Sequence, residues 1–369
     1  MQQTANRHHT RLFNDNRFKL GIFAPNCSGG LTMLRTELWD ASMENNLAVA
    51  KLADDAGLEF ILPLGRWQGP RRWPREDESQ GQSFETLTWA SAMLASTRAI
   101  CVFGTLHVTF IHPVFASKMI VTVDHVGRGR FALNIVSGNH VEDFELFGVP
   151  LPDNAGRYAY TDEWVTIVKR IWSETAPFDF AGTYFHLKGV IAKPKPFGAS
   201  RPMLVGAGNS PVGRRFAATQ TDCVFLTINE VDTLADEIGT VRAISESAGV
   251  FASGHLIARP TRKEAEDYYD YVVRELGDWE VVDRVADART RGRITPMATM
   301  KRLKERLISG GGTYPVVGSY DDVAAAFARM SEAGLNGMAV ALFDYIAEFP
   351  MLEEVVLRME RLGLRGALR

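Results

Sequence analysis

Cysteine is scarce: Cys27, Cys101 and Cys223 are the three in 369 residues. Being odd in number and far apart, they build neither a disulfide framework nor a CxxC metal or redox motif. No apolar run approaches the ~20 residues needed to cross a bilayer. The opening stretch MQQTANRHHTRLFNDNR lacks the hydrophobic core of a secretory signal, so the chain reads as soluble and cytoplasmic, without a membrane partner. Charge of one sign is also missing. Lys and Arg number 41 against 44 Asp and Glu, a net charge of -3, and this balance argues against a nucleic-acid partner. Among the eight histidines there is no HExxH, and His107 and His112 stand five apart across a loop, so no metal site is expected. Spacing reveals no Ser-His-Asp set or paired carboxylates either. Whatever chemistry the chain performs is therefore expected to belong to a bound cofactor.

What is present is a hydrophobic content of 46% in a regular alternation of strand and helix patterns. After a polar arm over residues 1–18, strands are expected at 19–24, 58–62, 99–105, 130–136, 203–206, 222–226, 251–259 and 338–342. Between them lie helical stripes. One carries Val49, Leu52, Ala53 and Ala56 and stops at Gly57. Another starts at Pro113 and carries Phe115, Met119, Thr122, Val123 and Val126. A third carries Tyr160, Trp164, Ile167, Val168, Ile171 and Trp172. Eight βα alternations predict an α/β fold, a single (β/α)8 TIM barrel over residues 19–369. Two stretches exceed the minimal barrel. Residues 174–200 predict a hairpin excursion. Residues 260–317, opened by a Thr261/Glu264 capping box, predict an insertion before the last strand that acts as a lid.

Active sites of such barrels lie at the C-terminal ends of the strands, which directs attention to a few residues. Asn134 is the oddest, a carboxamide inside the strand RFALNIVSG, where unmade hydrogen bonds cost roughly 1–3 kcal/mol. Asn26 closes the first strand, Leu62 the second, and Thr105 with His107 the third. The segment MLVGAGNS, Met203 to Ser210, runs a strand into a Ser210-Pro211 helix start. It reads either as a phosphate site or as an ordinary tight turn, and it fails as a dinucleotide fingerprint because Pro211 stands where a third glycine should fall. Arg157 and Tyr158 begin a helix. Either Asn154 caps that helix and Arg157 is solvated, or the guanidinium and phenol contact a phosphate. His107 and His140 are either structural or substrate-facing. The loop RWQGPRRWPRE, Arg66 to Glu76, is either solvated surface or an aromatic wall supplied by Trp67 or Trp73.

Taken together, FAPNCSGG from Phe23, GRFALNIVSG from Gly129, the GRY of Gly156 to Tyr158, GAGNS from Gly206 and GTYPVVG from Gly312 resemble the flavin-dependent monooxygenases of the bacterial luciferase-like superfamily. The resemblance runs from about Lys19 to Leu364. It is nearest the branch of dimethyl sulfone, alkanesulfonate and pyrimidine monooxygenases. It implies a two-component enzyme that takes reduced FMN from a separate NAD(P)H-dependent flavin reductase and uses O2, through a flavin peroxide, to oxygenate a small substrate, most naturally a sulfone or sulfonate. It also implies a homodimer or homotetramer. Carried over by residue, Leu62, Gly65 and Arg66 lie beside the isoalloxazine, and Thr105 and Asn134 meet its polar edge. Arg157, Tyr158, Gly208 and Ser210 hold the phosphate. Asp143 stands where the family has a glutamate, one methylene longer. Asn134, Thr105 and His107 are the expected catalytic residues, and Asn26, Trp67, His107 and His140 the expected substrate pocket. A heterocyclic or halogenated aromatic substrate, hydride transfer with a deazaflavin, or flavin binding without catalysis are the alternatives.

Overall fold

Strand segments with no polar face in the sequence close on one another into a ring. The computed structural model describes residues 10–69, 79–208, 210–290 and 295–366. Among these, the strands in chain order are β1 (Lys19–Phe23), β2 (Phe60–Leu62), β3 (Cys101–His107), β4 (Phe131–Val136), β5 (Phe178–Ala181), β6 (His186–Val190), β7 (Met203–Ala207), β8 (Cys223–Leu226), β9 (Gly249–Arg259), β10 (Tyr314–Ser319) and β11 (Gly337–Ala341). Parallel pairing runs β9-β11-β1-β2-β3-β4-β7-β8 and returns from β8 to β9. The result is the eight-stranded barrel expected, with helices around it. β5 and β6 stand apart as an antiparallel hairpin.

β10 is an addition the sequence reading missed. It pairs in parallel with β9 over Gly254–Arg259, while β11 pairs with β9 over Phe251–His255. The long strand β9 thus belongs to the barrel in its first half and to the 260–317 insertion in its second. The insertion's helices, Arg262–Tyr271, Trp279–Thr290 and Met297–Gly310, bury a core of their own around Val272, Val282, Leu307 and Ile308. The Thr261/Glu264 capping box opens the first of them. Backbone bonds from Met33 N to Ile308 O (2.9 Å) and Arg35 N to Leu276 O (2.8 Å) fasten this core to the loop after β1.

Inside the barrel floor, Phe60, Phe103, Phe225 and Phe251 interlock edge-on or stacked, with ring centroids 5.5 to 5.9 Å apart. Leu12, from the described part of the N-terminal arm, is buried in the same cluster. Below it, Arg365 and Glu59, both almost fully buried, approach to 3.6 Å. Outside the ring the helices pack as their periodicity predicts, with one correction. In Pro113–Val126 the core face is Ala116, Ser117, Ile120, Val123 and Asp124, whereas Phe115 is 64% and Val126 40% exposed. Small residues there let the helix approach the barrel closely, so the largest apolar side chains mark the wrong face.

Candidate active site

The register of the barrel sets Thr105, Asn134 and Val205 side by side on β3, β4 and β7, one step above the phenylalanine floor. Ser210 follows β7 at the same C-terminal end. Asn134 Nδ2 donates to Thr105 Oγ1 at 3.3 Å, and Thr105 Oγ1 donates in turn to Pro63 O at 2.8 Å. With its amide nitrogen committed in this way, Asn134 keeps a buried Oδ1 without a partner among the described residues. The relay fixes the orientation of the carboxamide, so an acceptor is aimed at whatever occupies the mouth. Leu62 is buried at the end of β2. Gly65 lies so near the relay that a Cβ there would stand 2.8 Å from Thr105 Cγ2 and 3.1 Å from His107 Cε1.

A second group lies at the start of the Pro211–Gln220 helix. Ser210 caps it, its Oγ accepting from Gly213 N at 3.1 Å. Asn154 Nδ2 donates to the same Oγ at 3.2 Å, while Asn154 Oδ1 accepts from Arg157 Nη2 at 3.1 Å. Asp153, and not Asn154, caps the helix that bears Arg157. The solvated reading of Arg157 is corrected as well: the residue is buried, and its Nε has no partner among the described residues. Gly208 is required sterically, because a Cβ there would sit 2.7 Å from Gly213 Cα. Tyr158 lies against Gly213 and packs on Phe216. A buried guanidinium with a spare N–H, a hydroxyl and helix-start amides suit a phosphate.

The mouth itself is lined by Arg66, Trp67, His107, His140 and Asp143. Trp67 Nε1 donates to His107 Nδ1 at 3.3 Å, which leaves the proton of the neutral imidazole on Nε2. Burial first, then Arg66 and His140, push His107 down to about 4. His140 falls to about 4 for the same reason, loss of solvent, helped by Arg66 and Arg289; its Nε2 faces Arg66 Nη1 at 3.5 Å. Both rings are neutral at pH 7. Burial raises the Asp143 carboxyl against the opposing pull of Arg66. Burial likewise pushes the Cys27 thiol up to about 12, so no thiolate is on offer. Asn26, the expected substrate residue after β1, lies beneath this rim. Fully buried, it spends its amide on Leu64 O (2.9 Å) and Phe84 O (3.3 Å) and its Oδ1 on Leu64 N (2.8 Å), bracing the loops after β1 and β2. Trp73 and Asn209 lie outside the described residues.

Residues 18–337 match the model of the luciferase-like monooxygenase family. The chain belongs to that family. Its relatives include the FMNH(2)-dependent dimethylsulfone monooxygenase of Pseudomonas fluorescens (strain Pf0-1), 27% identical over 93% of this chain and 94% of the relative. Another is the pyrimidine monooxygenase RutA of Bradyrhizobium sp. (strain BTAi1 / ATCC BAA-1182), 28% identical over 89% of this chain and 92% of the relative. Among solved structures, DmoA from Hyphomicrobium sulfonivorans superposes with a TM-score of 0.81 at 18% identity, covering 96% of this chain and 90% of that one; it bears on the fold alone. No helix among the described residues is long and apolar enough to cross a membrane.

Two residues of this monooxygenase that face the mouth or its cover had gone unnoticed in the sequence. His255 on β9 is fully buried with both ring nitrogens unpartnered among the described residues, 4.3 Å centroid to centroid from Phe343 and beneath Gly310. It breaks the apolar strand FASGHLIAR as Asn134 breaks its own, so the same signal would have found it. Arg289, from the insertion, is lowered by loss of solvent and then by Arg66, and itself bears on His140. Nothing in its local sequence distinguishes it from the other arginines nearby.

Proposed function

We propose that this chain is the oxygenase of a two-component system. It receives reduced FMN from a separate NAD(P)H-dependent flavin reductase and, with O2, oxygenates a small organosulfur compound, and it works in the cytoplasm where such reductases find NADH. The observation that carries the reading is the orphaned Oδ1 of Asn134, held in place by Thr105 at the C-terminal end of the barrel, the end that also bears the Arg157–Asn154–Ser210 cradle. A phosphorylated ring cofactor with an N–H on its polar edge answers both features. When bound, reduced FMN supplies the two electrons with which O2 is split, one oxygen passing to the substrate and the other leaving as water. The chain's own residues then divide the remaining work. Arg157, Tyr158, Ser210 and the backbone at Gly208 hold the phosphate. Asn134 and Thr105 orient the ring edge, with Leu62 and Gly65 packed beside it and Arg66 and Asp143 close by. Trp67, His107 and His140 face the substrate, and the 260–317 insertion excludes water. Organosulfur is favoured by the dimethylsulfone monooxygenase relative. A homodimer or homotetramer is part of the reading, supported by the exposed Phe115 on the outer helical layer.

The test is an anaerobic titration of the apoprotein with reduced FMN, followed by mixing with a flavin reductase, NADH, O2 and a panel of sulfones and sulfonates. We expect saturable binding and substrate-dependent release of an oxidised sulfur product. Binding without turnover of any panel member would remove the organosulfur assignment, and absence of binding would remove the oxygenase reading itself.

A further inference from the structure

The Pro211–Gln220 helix begins with more positive charge than its surroundings answer. Its first turn holds no acidic residue, and Arg214 and Arg215 follow at once, at the end of a helix where the macrodipole favours anions and disfavours cations. Between this helix and the Leu234–Arg242 helix lies a cleft of about 420 Å³, lined by Pro211, Val212, Arg214, Arg215, Thr240 and Ile244. That volume falls within the roughly 300–1,000 Å³ of small-molecule sites. No carboxylate lines the cleft, and neither arginine belongs to an ion pair among the described residues. Arg214 is held in one orientation: its Nη1 donates to Thr240 Oγ1 at 2.7 Å, and that hydroxyl donates to Glu237 O at 2.7 Å. Its Nε is buried without a partner among the described residues. The carboxylate of Glu237 is engaged elsewhere, its Oε1 accepting from Asn229 Nδ2 at 3.1 Å. Arg215 is exposed. The remaining walls are aliphatic, with Val212 42% and Ile244 38% exposed beside Pro211. Two guanidiniums without acids next to uncovered aliphatic side chains suit a ligand with an anionic head and an apolar body. A phosphate monoester, with nearly two negative charges at neutral pH and three terminal oxygens, matches two guanidiniums better than a singly charged carboxylate does.

We propose that this cleft is a second nucleotide site, in which Arg214 and Arg215 hold a phosphate monoester and the attached ring system lies against Val212, Pro211 and Ile244. It is separate from the Arg157–Asn154–Ser210 cradle and shares with it only the helix start, where Arg214 N donates to Ser210 O at 2.8 Å. Two molecules carry this chemistry to a flavin-dependent oxygenase, FMN itself and the NADPH of its reductase, whose ribose bears a phosphate monoester.

The experiment titrates the full-length chain by calorimetry with FMN, NADPH, AMP, riboflavin and inorganic phosphate, at low and at high salt. Arg215→Gln, Arg214→Gln and Arg157→Gln are titrated in parallel. We expect a phosphate-ester site that persists in Arg157→Gln and weakens about tenfold or more in each of the other two variants and at high salt. Riboflavin and inorganic phosphate should each bind there at least about tenfold less tightly than the esters. Preference for FMN would make the cleft a second flavin site, and preference for NADPH or AMP an adenine-nucleotide site; either upholds it. Because Arg215 is exposed, Arg215→Gln remains informative should Arg157→Gln fail to fold: it should lose the weaker class of binding and keep the tighter one. Affinities unchanged in both the Arg214 and Arg215 variants would overturn the proposal, as would a single class of phosphate-ester binding that vanishes with Arg157. Inorganic phosphate binding as tightly as the esters would also overturn it, the cleft then holding an adventitious ion only. Failure of the turnover assay described above would refute the organosulfur oxygenase reading and leave these affinities as they are.

Discussion

Asn134→Ala removes an acceptor that no group among the described residues uses. The apoprotein should therefore melt within about 2 °C of the parent, while affinity for reduced FMN falls about tenfold. The reverse pattern, measured by calorimetry and flavin titration, would make the amide structural. His255 calls for a different experiment. A buried imidazole without hydrogen bonds is replaceable by an apolar residue at little cost, so His255→Leu should match or exceed the parent in urea melts at pH 7. The same histidines set an acid sensitivity. Burial holds His255 at about 3 and His107 at about 4, below the ordinary 6.5. A base with a lowered folded pKa takes up protons more readily when unfolded, so stability should rise with pH from about 4 to about 6.5 by up to about 1.4 kcal/mol per pH unit for each ring. Asp143 and Glu348, raised by burial, act in the opposite sense and blunt the slope. His255→Leu should flatten it further, and an unchanged slope would show that its ring already takes up protons in the native state. At this scale Asn134 was legible because a carboxamide in an apolar strand demands a partner. Arg289 was not, since its role depends on a neighbour more than two hundred positions earlier in the chain.

The helix start at Ser210 and the helix Leu234–Arg242 offer a matched pair of glycines. Gly208→Ala drives a methyl group into the backbone at Gly213, displacing the turn that leads to the Ser210 cap. It should lower affinity for reduced FMN about tenfold and destabilise by about 1–3 kcal/mol. Gly239, inside its helix, faces open space, and Gly239→Ala should stabilise by about 0.5–1 kcal/mol. Denaturant titration of both separates a glycine kept for close approach from one with no such constraint. Element boundaries show where sequence patterns fail. β10 hid because Tyr314–Ser319 carries Pro315 near its start and straddles the end of the insertion, where no barrel strand is due. The Pro113–Val126 helix was found, yet its buried face was misread, because closeness of packing favours alanine and serine over phenylalanine.

Closure of the barrel brings residues 14–20 and Arg365 together at its base. There Arg365 meets Glu59, with Asn14, Asn16 and Leu20 N also donating to that carboxylate. Arg365→Met should cost about 3 kcal/mol, and adding Glu59→Gln should restore part of it, because the second change removes the stranded charge. An additive double variant in denaturant melts would dissolve that pairing. The barrel was legible from eight recurrences of strand and helix. The register that sets Thr105 beside Asn134 was not, since it follows from strand tilt and ring closure, which no single segment records.

β9 is one ribbon zipped along one half to the barrel and along the other to β10, with the two ladders overlapping at Gly254 and His255. A flap sewn on by such a seam cannot swing there without tearing backbone bonds. The cover is therefore pinned along that edge of the barrel, and whatever loosening admits a molecule to Asn134 must come from elsewhere on the rim.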